Sequence, residues 1–265
     1  MSRRRQRLAP GPGSLQIIGI DCATEPAKTG LARAVYRRDR ASVREVVRGG
    51  PGAPVDEIVS RWLSEGEPSL LALDAPLGWP RALGRSLAGH EAGDPLAVDP
   101  NELFRRATDR LVAATLRKTP LDVGADRIAR TARAALALLH ALRVKTRRPL
   151  PLAWRPGRLA KDGAIEVYPA GTLAARGAPS TGYKGPSGRG VREAILGAMG
   201  KEVDIAPPLA AAAVASDHVL DAVVCVLAGV DFLERRVIEP GDLRLARKEG
   251  FIWVRRPISP AFSDT

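Results

Sequence analysis

The sequence predicts a mixed α/β fold in which three antiparallel strands precede helices that alternate with parallel strands. Three observations carry this expectation. Apolar stretches at 15–21, 30–37 and 42–48 read as strands, and the short Asp39-Arg40-Ala41 connection suits a hairpin between the last two, giving an antiparallel meander. From about residue 54 onward, helical and strand periodicities alternate. No glycine fingerprint follows the first strand and no Walker loop is present, which argues against a doubly wound nucleotide-binding fold alternating from the outset.

Each element has its own signature. Leu15–Asp21 is almost wholly apolar, as a strand covered on both faces would be. Val55, Ile58, Val59 and Trp62 fall at helical spacing and predict a helix over 54–64; residues 69–74 form a fourth strand stopped by Pro76. Helices are expected near 101–117 and 125–143, separated by Pro120, within an insertion spanning about 77–162. Pro149, Pro151 and Pro156 mark a loop before a strand at 164–168. A Gly/Pro/Ser loop over 177–190 leads into a helix at 190–199, followed by a long helix over 209–235 and a short strand at 251–254. This order is that of an RNase H-like fold. The expected organisation is a disordered basic arm over 1–14, a single domain over 15–255 and a tail over 256–265.

Composition bounds the function class. With 45% hydrophobic residues beside 22 Pro and 26 Gly, the 265-residue chain is loop-rich but able to form a core. Cys22 and Cys225 have no metal-site spacing and read as buried thiols of a reducing compartment. A formal charge of +12 fits a polyanionic partner such as DNA or RNA, although an Arg- and Ala-rich composition can also raise the charge without selection for binding. No segment reaches the ~18 apolar residues of a membrane span, so a cytoplasmic protein without a membrane partner is expected.

The chemistry-bearing residues are acids in apolar surroundings, where an unpaired charge is costly. Strand phase puts Ile17, Gly19 and Asp21 on one face and Ile18 and Ile20 on the other; Leu70, Ala72 and Asp74 likewise share a face. Gly19 and Ala72, being small, leave room on that face for a helix or ligand. Asp217 and Asp221, four residues apart, lie on one side of the long helix, where like charges repel unless a cation joins them. A strand-terminal Asp can also simply begin a turn, and Asp217 can cap its helix with only Asp221 inside. His218 reads as an exposed or hydrogen-bonded residue rather than a ligand. Glu166 interrupts an apolar strand, either at a polar edge or in the site. Arg105 and Arg106 are placed to clamp a phosphate or to form a solvated helix face with Asp109. Lys184, in the glycine-containing loop, could fold over an anion, and Tyr168 and Tyr183 could stack on a base. At 4% aromatics a continuous stacking platform is not expected.

Asp21 after its apolar strand, Leu73-Asp74-Ala75-Pro76-Leu77-Gly78, Phe104-Arg105-Arg106-Ala107-Thr108-Asp109-Arg110, Glu166-Val167-Tyr168-Pro169, Tyr183-Lys184 and Asp217-His218-Val219-Leu220-Asp221-Ala222 occur in that order. The set resembles domain of unknown function family 429, described as predicted RNase H-like nucleases, over about residues 15–255. The resemblance implies an RNase H-like fold and metal-dependent nuclease activity. Together with the acids, it leads to an expected site for two Mg²⁺ or Mn²⁺ ions: Asp21 bridging both, Asp74 completing one, Asp217 and Asp221 the other, and Glu166 orienting water. Two alternatives stand beside this: a non-catalytic nucleic-acid-binding module, and a Mg-nucleotide-dependent kinase. The second is weakened by the single glycine in Thr24–Gly30, where a phosphate hairpin would follow Asp21.

Overall fold

Six strands and ten helices are present among the described residues, 14–124 and 126–257, of the computed structural model. Strand β1 (Leu15–Asp21) is buried along its whole length, as its unbroken apolar run requires. It pairs antiparallel with β2 (Gly30–Arg37), which turns back into β3 (Arg40–Arg48). Arg38 and Asp39 carry φ values of 46° and 63°, the two left-handed residues of a hairpin turn that matches strand twist. Arg40 therefore belongs to β3 rather than to the connection.

Strand β4 (Ser69–Asp74) runs parallel to β1, and β5 (Gly163–Glu166) runs parallel to β4. A two-residue strand β6 (Val203–Asp204) joins the far edge parallel to β3, giving the order β5-β4-β1-β2-β3-β6. Helix α1 (Val55–Leu63) precedes β4. Between β4 and β5 lie α2 (Arg81–Leu87), α3 (Pro100–Phe104), α4 (Ala107–Leu116) and α5 (Asp126–Thr146). After β5 come α6 (Pro169–Ala174), α7 (Arg189–Met199), α8 (Pro207–Ala215), α9 (Asp217–Leu233) and α10 (Leu243–Glu249).

The strand phase divides the core as the sequence requires. Ile18, Ile20, Leu71 and Leu73 pack with α1 and α5 through Ile58, Trp62, Leu139 and Leu142. Ile17, Leu70 and Ala72 face the other way, onto α9. Helix α9 is buried at every residue from Val219 to Leu233, which explains an apolar surface without a polar stripe. It lies so close to the sheet that a Cβ at Gly19 would meet the Ala222 carbonyl oxygen at 2.0 Å. A Cβ at Gly30 would meet the His218 carbonyl oxygen at 1.9 Å. Two glycines on adjacent strands thus form the seat of the helix.

Several sequence expectations need correction. The helix expected over 209–235 is two helices, because Ser216 leaves helical geometry and caps α9 by accepting from the Val219 amide. The helix expected over 101–117 divides at Arg105 and Arg106, both in extended geometry. Residues 251–254 form no ladder; Ile252 and Arg255 make isolated bridges to Glu166 and Val237. Short elements α2, α6, α10 and β6 were not anticipated. The basic arm expected over 1–14 lies outside the described residues except for Ser14, as does residue 258 onward of the tail. Among the described residues, no helix is long and apolar enough to cross a membrane.

Candidate functional site

Parallel pairing of β1 and β4 sets Asp21 directly opposite Asp74 at the carboxyl ends of the two strands. Both are on the face that carries α9. The seat made by Gly19 and Gly30 brings the first turns of that helix over the same strand ends, and Asp221 there is wholly buried. Three carboxylates from three elements therefore converge.

Their electrostatics show that they are under-neutralised. Burial pushes Asp74 well above the usual carboxylate range, and the charges of Asp21 and Asp221 push it further. No donor among the described residues bonds its carboxylate. Burial also raises Asp21, against the opposing effect of His218, whose Nδ1 lies 2.7 Å from Asp21 Oδ2. Asp221 is pushed up to about 7 by burial and by Asp21, although the Tyr183 hydroxyl donates to it at 3.0 Å and the Lys184 ammonium pairs with its other oxygen. Burial works against the Lys184 charge, but Asp221, Asp21 and Asp74 outweigh it and hold the ammonium above its ordinary range. Asp231 on the same helix offers a contrast: equally buried, it is surrounded by Arg176, Arg236 and Arg255. The fold can neutralise a buried acid, and at the strand ends the described residues supply only Lys184 and His218 for this.

The loop that delivers Tyr183 and Lys184 is fixed from below. Arg192, 4% exposed, donates to the carbonyls of Tyr183 at 2.6 Å, Gly185 at 2.7 Å and Val214 at 2.7 Å. Gly188 has no room for a Cβ, which would stand 2.4 Å from the Tyr183 carbonyl. The Gly185 amide then donates to Asp217 at 3.0 Å. Although burial opposes it, this bond and the nearby His218 and Lys184 hold the Asp217 carboxyl below its ordinary range. Asp217 is thus a half-exposed acid at the rim, tied to the loop, while Asp221 one turn on faces the centre.

The remaining candidates divide. Glu166 is buried near Asp74, but both its oxygens are engaged: Arg106 donates to them at 2.7 and 2.9 Å and the Leu77 amide at 2.9 Å. Arg106, expected on the substrate side, is 1% exposed and also grips Asp109 at 2.8 and 3.0 Å. The pair ties α4 to β5 rather than facing a ligand. Gly250, at φ 84°, allows this packing, since a Cβ there would lie 2.7 Å from Glu166 Oε2. Arg105 lies at the surface, bonded to Asp122 at 2.9 Å and Asn101 at 3.2 Å. Tyr168 is half-buried beside Asp74, its hydroxyl raised to about 12 by burial and by that carboxylate. Sequence reasoning missed Arg192, whose helical position gives no sign of its inward reach. The Arg106–Asp109 grip was foreshadowed only by i, i+3 spacing.

Among the described residues, no three His, Cys, Asp or Glu side chains form a ready-made metal site. The donor set nevertheless fits a hard divalent cation: Asp21, Asp74 and Asp221 offer oxygen ligands, repel one another, and share a lysine ammonium as counter-charge. A family model described as "Protein of unknown function (DUF429)" matches residues 19–242. No curated protein and no solved structure matches the chain.

Proposed function

The chain belongs to the DUF429 family, a membership that names no activity, and from the site itself we propose that the protein hydrolyses phosphodiester bonds of nucleic acid using Mg²⁺ or Mn²⁺. The observation that carries this reading is the in-register opposition of Asp21 and Asp74 beneath the buried Asp221. An RNase H-like assignment is supported by the strand order, with an antiparallel β1-β2-β3 meander flanked by parallel β4 and β5. On that assignment, α2 to α5 are a helical insertion between β4 and β5.

Asp21, Asp74 and Asp221 would hold the cation or cations, with Asp217 at the rim. Divalent ions bound there supply positive charge to the phosphate oxygens and make water a stronger nucleophile at neutral pH. The chain's own groups do the rest. Tyr183 fixes the orientation of Asp221, and Arg192 fixes the loop that carries Tyr183. Lys184, half-exposed and paired with Asp221, would place a positive charge at the rim of the acids where a phosphate would lie. His218 holds Asp21 through Nδ1 and keeps Nε2 for proton transfer to the departing oxygen. The +12 charge favours a polyanionic substrate, DNA or RNA.

The test is a cleavage assay with Mn²⁺ on single-stranded, duplex and branched DNA and RNA, comparing the wild type with Asp21→Asn. The expected result is cleavage by the wild type and background only in the variant. Equal cleavage by both overturns the role of Asp21, and wild-type binding without cleavage favours a non-catalytic nucleic-acid-binding module.

A further inference from the structure

Helices α2, α4 and α10 present charge of one sign to solvent. In α4, Arg110 is exposed, and Ala114 and the C-terminal cap Arg117 follow it on the same side. Arg244, Arg247 and Lys248 share a face of α10, as Arg81 and Arg85 do in α2. Each of these cations is exposed, and none has an ion partner among the described residues. The acids of the same helices are turned inward: Asp109 is gripped by Arg106, and Glu249 caps α2 and α4. Asp242 caps α10 through the Arg244 and Leu245 amides. The exposed acids Glu91, Asp94, Asp99 and Glu102, between α2 and α4, form no ion pair with these cations. Like charges one turn apart repel, and a polyanion laid across them removes that repulsion.

The surface is tied to the acid site at two points. Gly78, four residues after Asp74, packs so closely on the end of α10 that a Cβ would stand 2.6 Å from the Glu249 carbonyl oxygen. At the far end of α4, Lys118 donates to the Ser180 carbonyl at 3.2 Å, in the loop that brings Lys184 to Asp221. Leu111 of α4 and Ala246 of α10 pack with the core around α9, so both helices lie on the side of the sheet that carries the acids. The 10 residues of α4 extend ~15 Å, the rise of about four nucleotides at ~3.4 Å each.

We propose that α2, α4 and α10 form a nucleic-acid track that binds the sugar-phosphate backbone and leads it to Asp21, Asp74 and Asp221. The inference rests on the nuclease reading for where the strand is led, but the contact itself needs neither metal nor cleavage. The cations meet phosphates. Gly84 and Ala114, the small residues among them, offer no ring for stacking and no side chain for a base edge, so the track is indifferent to sequence.

The experiment measures fluorescence anisotropy of two fluorescein-labelled DNA duplexes of unrelated sequence with the full chain in EDTA, between about 50 and 200 mM salt. Each lost phosphate contact lowers the slope of log affinity against log salt by about 1. The triple variant Arg244→Gln, Arg247→Gln, Lys248→Gln is therefore expected to lower it by about 3, and Arg81→Gln with Arg85→Gln by about 2, weakening both duplexes alike. The control is Arg127→Gln, Arg130→Gln, Arg133→Gln, which removes equal charge from exposed, unpaired arginines of α5, on the α1 side of the sheet. It is expected to keep the wild-type slope. Thermal melting checks that each variant is folded. Equal losses in the α10 and α5 triples overturn the proposal in favour of diffuse attraction by net charge, as does an unchanged slope in both the α10 and α2 variants. A wild type that binds neither duplex overturns the track and the nucleic-acid reading together. Binding with the expected slope losses but without cleavage in Mn²⁺ leaves the track standing while the nuclease reading falls.

Discussion

Gly19→Ala adds one methyl group where the backbone of α9 rests on β1. The new Cβ would stand 2.0 Å from the Ala222 carbonyl oxygen, 3.0 Å from Cys225 Cβ and 3.0 Å from the Val226 nitrogen, whereas ordinary contact begins at 3.4 Å. The first of these partners is helix backbone, which cannot rotate aside like a side-chain tip. Either α9 lifts from the sheet or β1 bends, and both ends of that movement carry site residues: Asp21 and Asp221. Overpacking in a core costs about 1–3 kcal/mol, and a backbone clash belongs at or above the upper end, about 3 kcal/mol. At roughly 2–4 °C per kcal/mol for a chain of this size, the melting temperature should fall by ~6–12 °C. The assay is thermal and urea unfolding with and without Mn²⁺, alongside Gly84→Ala in α2. Nothing lies within 4 Å of a Cβ at Gly84, so that change should stabilise by ~0.5–1 kcal/mol. The Gly19 variant should also lose stabilisation by Mn²⁺, because Asp221 moves away from Asp21. A Gly19→Ala protein that melts like the wild type and retains its Mn²⁺ response would refute the direct seating of α9 on β1.

Arg106→Met leaves Glu166 and Asp109 buried without their counter-charge and should cost ~3–5 kcal/mol in urea unfolding. Adding Glu166→Gln should recover part of that loss. Glu249 accepts from the Arg81 amide at 2.8 Å and the Ala107 amide at 2.8 Å, capping two helices at once. Glu249→Gln should therefore cost ~1–2 kcal/mol, and an unchanged unfolding midpoint would deny that joint cap. Asp74→Asn removes one of three mutually repelling charges, so it should raise the melting temperature in EDTA and yet abolish stabilisation by Mn²⁺. Asp221, raised to about 7, is largely protonated below that pH and ionised above it. Cation binding must displace that proton, so the Mn²⁺-dependent rise in melting temperature should grow as pH increases through about 7. A flat profile would contradict the assignment of Asp221.

Strand phase was legible because β1 and β4 are buried on both faces and end in the same kind of residue. Ile17-Gly19-Asp21 and Leu70-Ala72-Asp74 could be aligned from alternation alone, and the space left by Gly19 is filled by a helix. The divergent roles of Asp217 and Asp221 were harder to see. Four-residue spacing puts both on one helix side, but the cap at Ser216 makes Asp217 the first helical residue, where it can reach the Gly185 amide. Glu166 and Arg106 lie sixty residues apart, and no periodicity announces a long-range buried pair. The short elements escaped for a different reason. Two-residue β6 has no alternation to read, and the six residues of α6 follow Tyr168 through Pro169 with Gly171 inside, a pattern equally typical of a loop. The break at Arg105 and Arg106 was invisible because α3 and α4 together keep an almost continuous helical pattern.

The most direct measurement is a calorimetric titration of Mn²⁺ into the wild-type protein and into Asp21→Asn and Asp74→Asn. Saturable binding in the wild type that disappears in both variants is predicted by the convergence of Asp21, Asp74 and Asp221 on one cation site. Absence of saturable binding in the wild type, or binding that survives in both variants, would contradict it.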